Sequence, residues 1–86
     1  EIQASYNEML KFEGLIRLQS ETVRNSQILR DGEEERFENG ESSLFIVNTR
    51  ERGLIEAQVK LAEIEVKYAK ALASYRFSSG LPMFEE

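Results

Sequence analysis

The chain has 86 residues, is 41% apolar, and carries 11 basic against 16 acidic side chains for a net charge of −5, with no His, Cys or Trp. These counts remove disulfides, thiolate metal sites and the usual nucleophilic triads, and the singly scattered cations argue against nucleic acid, which needs a clustered basic surface. No stretch approaches the roughly 18 apolar residues of a membrane-spanning helix.

The first arm carries an apolar ladder at steps of seven: Ile2, Met9, Ile16, Val23 and Phe37, interrupted by Arg30. A seven-residue repeat is the signature of helices packed along a shallow left-handed seam. A weaker stripe of Leu15, Leu18, Thr22 and Leu29 runs beside it. Arg30 reads as structural, its stem covering the seam and its head reaching a carboxylate such as Glu34 or Glu51. A simple register about the turn sets it near Leu54, although antiparallel seams often shift by half a heptad. Gly14 and Gly32 fall inside this arm and Gly53 inside the next, and each costs a helix about 1 kcal/mol relative to Ala. Glu33, Glu34, Glu35 and Glu38 form an acidic run near the end of the helix, read as a solvated face.

Asn39 and Gly40 both tolerate positive φ and end the first helix; Ser42 or Ser43 then caps the second by accepting from its free N–H groups. Phe37 reads as the staple that closes the hairpin end. Glu41 completes the tip.

The second arm is the clearer helix. Val47, Leu54, Leu61, Tyr68 and Tyr75 repeat at seven, with Ala57, Ile64 and Ala71 between them. Ile55, Val59, Ala62, Val66, Ala69 and Ala73 form a second seam about 150° around the helix, at roughly 100° per residue. A helix with two narrow seams on nearly opposite sides needs a neighbour on each. Tyr68 and Tyr75 read as seam residues whose hydroxyls reach solvent. The helix is expected to stop at Ser78-Ser79-Gly80, with Pro82 beyond it and an extended exit over 79–86.

The expected fold is therefore all-α: one long antiparallel helical hairpin, a coiled coil with helices over about 3–38 and 43–78 and a turn at 39–42. Such a hairpin has no enclosed centre, so its stability is expected to come from neighbours. The chain begins with Glu and shows no charged-then-apolar leader, which we read as an excised piece of a longer protein whose targeting signal lies elsewhere. Carboxylates are plentiful, but no cleft is expected to tune their pKa, and without His no Glu-x-x-His di-iron site can form. Neither catalysis nor a bound cofactor is expected.

The stretch from Arg36 to Glu51 resembles the second periplasmic helical hairpin of the TolC-like outer membrane efflux proteins. There an aromatic residue, two variable residues and Gly precede a small polar pair and an apolar run, as Phe37, Gly40, Ser42, Ser43 and Leu44-Phe45-Ile46-Val47 do here. The similarity continues through Leu54, Ala57, Leu61, Tyr68 and Ala71 to Gly80. It implies a fragment of a larger α-barrel and β-barrel channel, a homotrimer anchored in the bacterial outer membrane by a part outside this segment. The hairpin would be tunnel wall in the periplasm, and Phe37, Asn39, Gly40, Glu41, Ser42 and Ser43 would meet the periplasmic adaptor of an inner-membrane pump. A basic residue two after the turn Gly in some members is Ser42 here, and their acidic aperture residues fall at about Ile46 and Thr49. A gate here would then rest on apolar constriction or on other helices.

Two further readings follow from the residues. A coiled-coil stalk hairpin of an adaptor (membrane fusion) protein, or another structural interaction module with no pore, would need one strong seam per helix and would tolerate polar residues at Val59 and Val66. An amphipathic membrane-surface helix would want a basic polar face, which this net acidic surface lacks.

Overall fold

In the computed structural model, which describes residues 2–78, the chain is two long helices, α1 (Ile2–Glu38) and α2 (Leu44–Ser78), folded into an antiparallel hairpin. The expected bounds lie within a residue of those observed. The expected exit over 79–86, with Gly80 and Pro82, lies outside the described residues. The 37 residues of α1 give a rod about 55 Å long at 1.5 Å per residue. Neither helix contains Pro, and Arg36 and Arg76 stand in the last turns, where a cation complements the helix dipole.

The interface between the helices follows the ladders. Val47, Leu54, Ala57, Ile64 and Ala71 of α2 are buried, and Leu61, Tyr68 and Tyr75 are half-buried along the same line. On α1 the ladder residues Met9, Ile16 and Val23 face inward, Met9 buried and the other two half-buried. Between them lie Ser5, Phe12, Gln19, Ser26 and Glu33, the alternate positions of the heptad, and four of these five are polar. No described side chain is completely shielded from solvent.

Polar contacts set the register. Ser5 Oγ lies 3.4 Å from both Ser74 Oγ and Ser78 Oγ. The Tyr6 and Tyr75 rings meet with centroids 5.6 Å apart at 46°. Tyr68 donates its hydroxyl to Glu13 Oε2 at 3.1 Å, and Gln19 Nε2 donates to the Ala57 carbonyl at 3.0 Å. Arg30 Nη1 donates to Glu51 Oε1 at 2.9 Å while its Nε pairs with Asp31 at 2.8 Å. Arg30 thus stands level with Glu51 rather than Leu54, the half-heptad offset of an antiparallel seam. Its carboxylate partner across the seam is Glu51, not Glu34. Every buried side-chain polar atom among the described residues has a partner.

One expectation is corrected here. The Tyr68 hydroxyl does not simply reach solvent: it holds Glu13 across the interface, and that hydrogen bond, ahead of desolvation, pushes its pKa up.

Candidate functional site

Two places expose apolar side chains together: the tip and the outward face of α2. The tip is built by a Schellman turn. Gly40, at φ 77°, donates its N–H to the Phe37 carbonyl at 3.0 Å, and Glu41 N–H reaches back to the Arg36 carbonyl at 2.8 Å. This is the paired pattern by which an αL residue satisfies the last carbonyls of a helix. Arg36 Nη2 then donates to the Glu41 carbonyl at 3.0 Å and holds the chain where it leaves the turn.

Ser43 begins α2. Its carbonyl accepts from Ile46 N–H and Val47 N–H at 3.1 Å, and its Oγ accepts from Ile46 N–H at 3.3 Å. Of the two serines expected to cap, Ser43 is the cap and Ser42 is not. Ser42 Oγ instead donates to Glu33 Oε2. Glu33 also faces Arg36 Nη1 at 3.9 Å and Arg50 Nε at 3.8 Å, and is only 7% exposed. The acidic run is therefore divided: Glu34, Glu35 and Glu38 are exposed, whereas Glu33 is an interior residue that ties the turn to α2. Sequence reasoning missed this role. The available signal was spacing, since Glu33 continues the line of Ser5, Phe12, Gln19 and Ser26 at steps of seven.

Around this polar knot the tip is apolar. Phe45 is 76% exposed, and Leu44, Ile46 and Phe37 are exposed beside it. Phe37, expected to close the hairpin end, keeps 43% of its surface open. Asn39, Gly40 and Glu41 are exposed at the apex, and a Cβ built on Gly40 meets nothing within 4 Å. Thr49 is exposed, and its Oγ1 donates to the Phe45 carbonyl at 2.9 Å, one turn back along α2. Ile46 and Thr49 thus lie just behind the tip, three residues apart on α2, and the hydroxyl of Thr49 is turned onto its own helix.

The second seam of α2 lies away from α1. Val59 is 52% and Val66 54% exposed, with Ile55, Ala62 and Ala69 also exposed between and beside them. The first seam, through Val47, Leu54, Leu61, Tyr68 and Tyr75, is the one α1 covers. On α1 the weaker stripe is open at Leu18 and Leu29.

Among the described residues no group of three or more acidic side chains is placed to hold a metal, and no helix is long and apolar enough to cross a membrane. The depressions along the rod are shallow grooves between the two helices, lined by residues such as Glu8, Phe12, Lys67 and Ala71. What the surface offers is apolar area at the tip and along α2, with charge beside it. No protein-family model, curated protein or solved structure matches the chain significantly.

Proposed function

We propose that the chain is a tunnel-wall hairpin of a trimeric TolC-like outer membrane channel for efflux or secretion, its turn docking a periplasmic adaptor. The observation that carries the reading is the division of labour on α2. One apolar face is used by α1, and a second, bearing Ile55, Val59 and Val66, is left bare. In a closed tube each helix has two lateral neighbours, and the bare face becomes an interior contact. A second support is the tip, where the hydrogen-bonded Schellman turn leaves Phe37, Leu44, Phe45 and Ile46 open to a partner. Exposed apolar patches of this kind mark interaction surfaces.

In this reading Phe37, Asn39, Gly40, Glu41, Ser42 and Ser43 meet the adaptor, and Ile46 and Thr49 stand near the aperture. Neither of the latter is ionisable, so a gate in this protein would rest on apolar constriction or on other helices. The test replaces Gly40 and Ser43 with Trp in the full-length protein and measures export together with adaptor cross-linking. Loss of both, with the channel still present in the outer membrane, is the expected result. Unchanged export and cross-linking would sink the docking assignment.

A further inference from the structure

One notch in the groove between the helices lies close to the tip. It has a volume of about 80 Å³ and is lined by Ser26 and Leu29 of α1 and by Thr49, Arg50 and Gly53 of α2. That is room for several waters at roughly 10–15 Å³ each, and so for the end of one side chain. Gly53 lies nine residues after Leu44, about 14 Å behind the tip at 1.5 Å per residue. Lateral neighbours in a tube would cover the far sides of α1 and α2 and leave this groove open.

Nothing inside the hairpin calls for glycine at this place. Gly53 does not take a positive φ, and a Cβ built on it meets nothing within 4 Å. A helix interior favours Ala over Gly, so the position keeps its open space at a cost in helix stability. The polar groups beside that space are unused. Arg50 approaches Glu33 Oε1 through Nε at 3.8 Å, and its guanidinium donates no hydrogen bond among the described residues. Ser26 Oγ, half-buried, likewise has no hydrogen-bond partner among them.

Charge on this side suits an anion. Arg36 and Lys60 continue the lines of Leu29 and Gly53 one heptad on, and with Arg50 they outnumber the nearby carboxylates, Glu33 and Glu56. The opposite groove is lined by Glu13, with Glu34 three heptads along the same line of α1. An approaching carboxylate is drawn to the first groove rather than the second.

We propose that the notch of Ser26, Leu29, Arg50 and Gly53 receives an Asp or Glu side chain of the protein that docks at the tip, its carboxylate on the Arg50 guanidinium and its methylenes against Leu29 and Gly53. The inference rests on the docking reading above and adds to it a specificity contact on the flank of the hairpin. Arg suits the task because its planar fork takes a carboxylate bidentately, where Lys offers a point charge. Ser26 Oγ supplies a second donor.

The test uses the full-length protein and its adaptor, with cross-linking as the measure of docking and thermal melting as the measure of folding. Gly53→Leu fills the notch and should lower cross-linking about tenfold or more while the melt holds or rises, since a Cβ there meets nothing in the hairpin. Arg50→Gln should lower cross-linking similarly, and Arg50→Lys should retain part of it. The acidic partner is read directly with a carbodiimide, which activates a carboxylate so that the amine introduced by Arg50→Lys displaces the urea and forms an amide. An amide to an Asp or Glu of the adaptor, lost when Gly53→Leu is added, is expected. Unchanged cross-linking in Gly53→Leu and Arg50→Gln, with Gly40→Trp still abolishing it, would overturn the notch and leave the docking reading standing. An amide formed only within the chain, to Glu33, would overturn it as well. If Gly40→Trp also leaves cross-linking unchanged, docking itself fails and the notch proposal falls with it.

Discussion

Tyr68 and Glu13 give the hairpin a pH dependence of definite sign. The neutral phenol donates to the carboxylate at 3.1 Å, and this hydrogen bond raises the folded-state pKa above the ordinary 10.0. A group whose folded pKa is raised contributes stability that is complete below its unfolded pKa and is lost as pH rises through the folded value. Thermal melts should therefore fall above about pH 10, and the fall should be shallower in Tyr68→Phe. An identical pH profile for the two proteins would count against the contact. At the turn, Ser43→Ala removes the hydroxyl that accepts from Ile46 N–H beside the Ser43 carbonyl, and should cost about 1 kcal/mol in urea unfolding. Gly40→Ala must hold a Cβ at positive φ and should cost about 1–2 kcal/mol, though nothing crowds the site. Glu33→Ala removes the acceptor of the Ser42 hydroxyl and the carboxylate that faces Arg36 and Arg50, and a loss of about 1–3 kcal/mol is expected.

At the scale of the elements, both helices and their bounds were legible because the ladder residues are apolar. Met9, Ile16 and Val23 on one side, and Val47, Leu54 and Leu61 on the other, announce the seam by period alone. The alternate positions of α1 were not legible. Ser5, Gln19, Ser26 and Glu33 read as surface by type, yet each has a partner or a half-buried place at the interface. Hydrophobic periodicity cannot report a core position filled by a hydrogen-bonding side chain. The tip was legible in part: Asn39-Gly40 signalled the stop, but two serines in sequence left the cap undecided until their hydroxyls were placed. The helix glycines add a test. A Cβ on Gly14 or Gly32 meets nothing within 4 Å, so Gly14→Ala and Gly32→Ala should each stabilise the hairpin by about 0.5–1 kcal/mol. If Gly32→Ala stabilises the hairpin but impairs the assembled protein, a neighbour's backbone passes close to α1 at that point.

The described residues form a rod in which more large apolar side chains stand exposed than buried. Six apolar residues are buried among those described, while large side chains such as Leu18, Phe45, Val59 and Val66 stand open. Exposed apolar surface of this extent marks interaction surfaces, and the proposed tube would cover it. The two-seam pattern of α2 predicts this from sequence, because one partner helix cannot cover faces about 150° apart. The channel reading rests on that incompleteness together with the tip. Its most direct measurement is the gene sequence on either side of this chain. The account predicts a secretion signal, a related hairpin roughly two hundred residues upstream, and short alternating strands between the two, the spacing that the channel resemblance implies. A lone hairpin flanked by small β domains would contradict it, and Phe37 to Val47 would then be the tip of an adaptor stalk that docks onto a channel.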